Sequence, residues 1–409
     1  MPLRTAFAVS VSRTAAALSR ATGRGDGSVI GGRLGMMIDP DLLAHLAEGR
    51  QIALVSGTNG KTTTTRFTAA AVGVLGDVAT NSFGANMPTG HTSALARAGT
   101  TRFAVLEVDE HYLAQVIEAT RPLTVALLNL SRDQLDRAKE VAMMADLWRT
   151  ALAEHPEVHV VANADDPMVV YAAGAHPAAA LTWFSAGQRW QDDSHVCPAC
   201  GGHIDRTDDG GWACDRGDLR RPEPHWRLAD GKIVDPEGAA HEVKLQLPGT
   251  VNLGNAATAL AVAARFGVRP VDAAPRLTEV ASVAGRYAQV ERDGRRIRLL
   301  LAKNPASWLE AFEMADLAPT LLSINARDPD GLDTSWLYDV DFSPLRGRQV
   351  LVTGDRAMDL AVRLEINGVP FTHVKTFAEA IAAVPPGRLE VIANYTAFQD
   401  IRAELDRVL

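Results

Sequence analysis

The chain has 409 residues, 47% hydrophobic and 22% charged, with a formal net charge of -8 at pH 7. This is the profile of a soluble globular enzyme of roughly two to three domains, and its acidic balance argues against wholesale nucleic-acid binding. No stretch approaches the ~20 uninterrupted apolar residues that a membrane span requires.

The first 36 residues carry Arg4, Arg13, Arg20, Arg24 and Arg33 against Asp26. Arg13 interrupts the apolar run from Met1 to Ala17 and no small-residue cleavage site follows, so a mature cytoplasmic N-terminus is expected. This segment, 1–45, reads either as a solvated helix packed on the body or as an amphipathic surface for anionic lipid. Gln51 to Val55 is a short apolar strand running into a turn at Gly57 to Gly60 and then a Thr- and Ala-rich helix, Thr62 to Leu75. Strands follow at Phe103 to Val108, Thr124 to Leu128 and Val158 to Ala162, with helices at Tyr112 to Ala119 and Lys139 to Ala153 between them. Continuous apolar strands alternating with helices predict an α/β fold, a mostly parallel sheet covered on both faces.

From Trp183 to Arg227 the pattern breaks into Gly, Asp, Pro, Trp and Cys without helical period, which predicts a ribbon-like insertion. A long Ala-rich helix, Val251 to Phe266, resumes the regular structure. A second α/β unit is expected beyond a boundary near 285, with strands at Ile297 to Ala302, Thr320 to Ile324, Gln349 to Thr353 and Leu389 to Ala393. The expected domains are therefore 46–285, with its insertion at about 183–227, and 286–409.

Ser56-Gly-Thr-Asn-Gly-Lys-Thr-Thr63 lies between a strand and a helix, the setting of a phosphate-binding loop. Gly57 and Gly60 let the backbone of Thr58 and Asn59 turn its N–H groups toward phosphate oxygens, and the helix N-terminus adds partial positive charge. Lys61 would reach the terminal phosphates, and the hydroxyl of Thr62 or Thr63 would sit on Mg²⁺. Val55 stands where the common P-loop pattern has its first glycine, so the loop is a variant.

This loop resembles that of the Mur ligases and folylpolyglutamate synthases, which convert a carboxylate to an acyl phosphate that an amine then attacks. The resemblance gives Glu107 the role of a Mg²⁺ ligand and places Asn252, Asn255 and Arg286 with the nucleotide. Asn129-Leu-Ser-Arg-Asp-Gln-Leu-Asp-Arg137 is similar to the family's Asn-x-x-x-Asp-His-Leu-Asp segment, with Gln134 in place of its histidine. Trp148-Arg149 stands where the family generally carries a carbamylated lysine, and Leu300-Leu-Ala-Lys-Asn-Pro305 lacks the family's aspartate. Both departures, with the short segment before the loop, weigh against a free-standing amino-acid-adding ligase. Intact Lys61, Thr62 and Glu107 weigh against a nucleotide-binding regulator without catalysis.

The cysteine insertion, Asp328-Pro-Asp-Gly-Leu-Asp-Thr-Ser-Trp-Leu-Tyr-Asp339 and Asn394-Tyr-Thr-Ala-Phe closely resemble the MurT branch of the family. That resemblance implies ATP-dependent amidation of the D-glutamate α-carboxylate in the lipid II stem peptide, at the inner face of the plasma membrane. Ammonia would come from glutamine, hydrolysed by a GatD partner in a heterodimer. All three cysteines of the chain sit in the insertion, so a glutaminase nucleophile must come from elsewhere. The branch's essential aspartate maps onto Asp333, which would either orient the partner's histidine or position ammonia; alternatively Asp330, Asp333 and Asp339 only cap turns.

Cys197-Pro-Ala-Cys200-Gly-Gly has the spacing of a zinc knuckle, with Cys214 a third ligand for a structural Zn²⁺. In the family a second CxxC completes the site, but Cys214-Asp-Arg-Gly217 lacks its second sulfur. His195, His203, His225, Asp215 or Asp218 is the expected fourth ligand; without metal, Trp212 and Trp226 would hold the ribbon by packing.

Overall fold

A computed structural model describes residues 2–23, 27–81, 84–132, 141–281, 287–292, 294–315 and 317–406. The chain divides near residue 281 into two units, each with its own sheet.

The first unit opens with helices α1 (Leu3–Ala21), α2 (Ser28–Ile38) and α3 (Leu42–Ala47). Ala8 and Val9 of α1, with Leu42, Leu43 and Leu46 of α3, join the same core as the central strands. The first two helices are thus docked on the body, as one of the two sequence readings expects; no helix among the described residues is long and apolar enough to cross a membrane.

Next come β1 (Gln51–Ser56), α4 (Lys61–Val72), β2 (Val78–Thr80), α5 (Pro88–Arg97), β3 (Phe103–Val108), α6 (Leu113–Thr120) and β4 (Thr124–Leu127). The sheet is completed through α7 (Val141–Glu154), β5 (His159–Asn163), α8 (Pro167–Ala173) and β6 (Leu181–Phe184). Its order is β2-β3-β1-β4-β5-β6, and every pairing is parallel. β1 and β3 to β5 are buried almost throughout, which is why they read as unbroken apolar runs rather than alternating ones. The order reverses at β1, so the crevice beyond its carboxyl end is a topological switch point, the usual ligand position in an open α/β sheet.

Between β6 and the next long helix lie two small antiparallel sheets. One pairs β7 (Ile204–Arg206) with β8 (Trp212–Cys214), and the other joins β9 (Arg227–Ala229), β10 (Lys232–Val234) and β11 (Ala240–His241). The ribbon therefore continues past Arg227 to His241, where short exposed strands gave no apolar run to read. Trp212 is buried, and its indole N–H donates to the Ala164 carbonyl at 3.1 Å, fastening β8 to the body. Helices α9 (Thr250–Arg265) and α10 (Pro270–Leu277) close the unit, α9 packing its small residues against α4.

The second unit comprises β12 (Tyr287–Arg292), β13 (Arg295–Leu301), α11 (Pro305–Met314), β14 (Thr320–Ser323), β15 (Val350–Thr353), α12 (Ala357–Ile366), β16 (Phe371–His373), α13 (Phe377–Ala383), β17 (Gly387–Ala393) and α14 (Tyr395–Asp406). Its sheet runs β12-β13-β17-β14-β15-β16, parallel except for the antiparallel edge pair β12 and β13. Inside it, Arg298 donates from Nε to both carboxylate oxygens of Glu390, at 3.0 and 2.9 Å, and both residues are buried. Removing Arg298 leaves the buried Glu390 carboxylate to the half-buried Arg388, 3.0 Å away. Arg298→Met is expected to lower unfolding free energy by about 3–5 kcal/mol, measured by urea denaturation. A loss within error would show that the pair is solvated.

Candidate active site and cysteine ribbon

The loop between β1 and α4 is shaped by two glycines. Gly57 has φ +147°, and a Cβ there would lie 2.8 Å from Leu128 Cβ; Gly60 has φ +82°, and its Cβ would lie 2.8 Å from Asn255 Oδ1. Both the left-handed backbone and the close neighbours exclude larger residues. The segment after β4 clamps the loop. Thr58 N–H donates to the Asn129 carbonyl at 3.0 Å, Asn59 N–H to Asn129 Oδ1 at 2.9 Å, and Ser131 N–H to Thr58 Oγ1 at 3.0 Å.

Asp166 holds that clamp in turn. It is wholly buried at the start of α8 and accepts from Leu130 N–H at 2.9 Å and from Met168 N–H at 2.8 Å. Burial pushes its carboxyl pKa up, and these donors oppose the shift.

Lys61 is also buried. Its ammonium donates to the carbonyls of Gly57 and Thr58 and to Glu110 Oε2, the last at 2.9 Å. Trp148, buried in α7, donates its indole N–H to the Glu110 carbonyl at 3.1 Å, so the residue standing in place of the family's lysine supports the partner of Lys61. Arg149 lies over the Tyr171 ring at 4.7 Å and donates to the Tyr171 carbonyl.

Glu107, the last residue but one of β3, is almost fully buried. Asn81 and His91 fix its backbone: Asn81 Oδ1 accepts from its N–H at 2.8 Å, and its carbonyl pairs with Asn81 Nδ2 and His91 Nε2, each at 2.7 Å. Its carboxylate has no hydrogen-bond or ion-pair partner among the described residues. A carboxylate set in the protein wall with its oxygens in that condition is open to a cation, and an oxygen donor suits Mg²⁺. Thr62 is half-buried in the first turn of α4 and Thr63 is buried. Asn255 on α9 accepts from Thr64 Oγ1 at 3.1 Å and donates to Asn252 Oδ1 at 3.2 Å, so Asn255 faces the loop-bearing helix and Asn252 orients its amide. Arg286 and residues 133–137 lie outside the described residues.

His91 is buried, and desolvation lowers its pKa to about 4 from 6.5; the hydrogen bond to Glu107 only partly offsets this. Between pH 6.5 and 4 the unfolded chain takes up a proton that the folded chain refuses. The contribution is full above pH 6.5 and is lost as pH falls to 4, a drop of about 3 kcal/mol. Stability of the wild type and of His91→Asn, followed by urea denaturation across that range, is expected to show a flatter slope for the variant. Equal slopes would count against a buried neutral His91.

In the second unit, the stretch after β14 is held by the start of α14. Asp330 accepts from Thr396 N–H at 2.8 Å, Asn394 Oδ1 accepts from Asn325 N–H at 3.0 Å, and Arg327 bridges Asp355 and Asp400, each at 2.8 Å. Asp330 is thus a turn anchor. Asp333 is exposed, and its Oδ1 accepts from Ser335 N–H at 2.7 Å; that bond lowers its pKa, so it is an ionised carboxylate. Asp339 is also exposed.

The ligand atoms of Cys197, Cys200 and Cys214 all lie within 4.8 Å of one another, with the last two sulfurs 3.4 Å apart. Hydrogen bonding, chiefly from Arg216 N–H, lowers the Cys214 thiol pKa, whereas burial raises that of Cys197. None of the expected fourth ligands joins them. His225 Nδ1 accepts from Trp183 N–H at 2.8 Å, His203 pairs with Asp205 at 3.1 Å, and His195 lies 3.6 Å from Asp192. Asp215 Oδ1 caps His203 N–H at 2.8 Å, and Asp218 is exposed. His195, His203, His225 and Asp215 are each engaged by another partner, and Asp218 points to solvent beside Arg220.

Sequence reading missed Glu110, Asn81, His91 and Asp166. Asp166-Pro167 carries the local signature of a capped helix start, but its grip on Leu130 is tertiary.

Residues 55–263 match the Mur ligase middle domain, and residues 301–398 match the MurT ligase C-terminal domain. The lipid II isoglutaminyl synthase (glutamine-hydrolyzing) subunit MurT of Streptococcus pneumoniae is 28% identical over 98% of this chain and 97% of its own length. Its Staphylococcus aureus counterpart is also 28% identical over the same shares. Among solved structures, the pseudomurein peptide ligase type C of Methanothermus fervidus superposes with a TM-score of 0.69 at 16% identity, covering 90% of this chain and 81% of that one. The Mycobacterium tuberculosis folylpolyglutamate synthase complexed with ADP gives 0.59 at 15% identity, covering 89% and 92%.

Proposed function

Because the chain belongs to the Mur ligase family and carries a MurT-type C-terminal domain, we propose that it is the activating subunit of a two-chain enzyme that amidates the D-glutamyl α-carboxylate of lipid II during peptidoglycan synthesis. The observation that carries the ATP-dependent step is the glycine-shaped loop with buried Lys61 in it and the buried, unpartnered carboxylate of Glu107. The two MurT relatives, matched nearly end to end, support the substrate.

In this reading the backbone of Gly57 to Thr63 binds the phosphates of ATP and Lys61 neutralises the terminal ones. Asn255 and Arg286 serve the nucleotide. Thr62 and Glu107 would hold Mg²⁺, which when bound offsets the negative charge of the phosphates. A carboxylate oxygen of the substrate bonds to the γ-phosphorus as the bond to the ADP oxygen breaks. Ammonia then attacks the acyl carbon, phosphate leaves with the bonding pair, and the nitrogen sheds a proton to give the amide. Alignment and charge neutralisation supply most of the acceleration.

The ammonia is assigned to a GatD-type glutaminase, since a glutaminase nucleophile must be activated and this chain's cysteines are clustered on the ribbon. The test is to incubate the chain with lipid II, ATP and either ammonium or glutamine, with and without GatD. Amidation with ammonium by the chain alone, and with glutamine only when GatD is present, is expected. Failure in both the ammonium and the GatD–glutamine reactions would overturn the reading.

A further inference from the structure

The cysteine ribbon carries an inference separate from the ligase chemistry. A tetrahedral zinc site with metal–sulfur bonds of about 2.3 Å has sulfur–sulfur edges of about 3.8 Å. The three sulfurs here fit that spacing, lying within 4.8 Å of one another with one pair at 3.4 Å. That pair is also too far apart to be a disulfide, whose bond is about 2.05 Å.

A glycine beside the cluster leaves room for a fourth ligand. A Cβ at Gly217 would lie 3.4 Å from Cys200 Sγ and 3.7 Å from Cys214 Sγ, ordinary contact distances, so position 217 faces two of the three sulfurs and brings no donor of its own side chain to them. Cys200 is exposed, which leaves the cluster accessible from solvent. The nearest carboxylate, Asp215, reaches Cys214 Sγ at 3.9 Å but is bonded to the His203 N–H at 2.8 Å, and it does not come within range of all three sulfurs.

We propose that Cys197, Cys200 and Cys214 bind one thiophilic divalent metal ion whose fourth coordination position, on the side of Gly217, is taken by a donor from solution. The site is then structural in origin but open in coordination, unlike a closed four-thiolate ribbon. Its metal exchanges more readily, and its ligand field responds to small thiols or water-displacing anions.

Cobalt(II) reports this directly, because thiolate charge-transfer bands and d–d bands read the number and kind of ligands. The full-length chain, reduced and stripped with chelator, is titrated with Co²⁺. One ion per chain with thiolate charge transfer is expected, and added 2-mercaptoethanol or cyanide should shift the d–d bands. Gly217→Cys should give a four-thiolate spectrum that no longer responds, and should hold Zn²⁺ at least about tenfold more tightly, given that outer-shell changes alone move metal affinity 10–100-fold. Asp215→Asn should leave the wild-type spectrum in place. Three outcomes overturn the proposal: no stoichiometric Co²⁺ binding, wild-type bands indifferent to added ligand, or loss of the spectrum in Asp215→Asn. Circular dichroism of each variant separates misfolding from loss of a ligand.

Discussion

Lys61→Met is expected to lower amide synthesis by at least about a thousandfold, the scale set by removal of a preorganised charge from a developing anionic transition state. The ammonium is built into the loop rather than free to approach it. It is buried, bonded to two loop carbonyls, and paired with Glu110 at 2.9 Å. Its loss also leaves Glu110, itself largely buried, without its cation, and breaking such a pair costs about 3–5 kcal/mol. The two effects separate in a second variant. Lys61→Met with Glu110→Gln should recover most of the stability, read by urea denaturation, and none of the activity, read as amidated lipid II with ammonium as nitrogen source. Activity within tenfold of wild type in either variant would remove the loop from the proposed mechanism.

The loop could be read from the chain because its signals are local. Gly57 and Gly60 follow an apolar run and Lys61 opens the next helix, so the signature is contained in a few residues even though its neighbours Leu128, Asn255 and Glu110 are distant in the chain. The buried parallel strands were readable for the same reason, since burial on both faces leaves an unbroken apolar run. Neither condition holds for β2, three residues long, or for β12, whose burial alternates at the sheet edge. Glu110 and Asp166 stayed hidden because their roles exist only across the fold: one meets a lysine 49 residues away, the other an amide 36 residues away. The ribbon gave the opposite outcome. Its three cysteines were conspicuous, yet the histidines and aspartates around them find other partners that spacing could not reveal.

Asp333→Asn is expected to separate the two nitrogen sources, abolishing glutamine-dependent amidation while sparing the ammonium-dependent reaction. The carboxylate is ionised and exposed on a loop whose base is pinned by Asp330, Asn394 and Arg327. One oxygen is engaged by Ser335 N–H, so the group has a fixed direction. A directed carboxylate on an accessible surface suits orientation of a partner's imidazole, where replacing aspartate by asparagine selects the wrong tautomer and costs about 10⁴-fold. Asparagine keeps the size of the side chain and can still accept from Ser335, so the loop should persist, and ATP hydrolysis or ammonium-dependent turnover should stay near wild type. The alternative role, positioning ammonia at the acyl phosphate, predicts that both nitrogen sources fail together. A steady-state comparison of the two sources, with the same preparation and the same partner, therefore decides what Asp333 does: loss confined to glutamine places it with the glutaminase, and equal losses place it at the ligase centre.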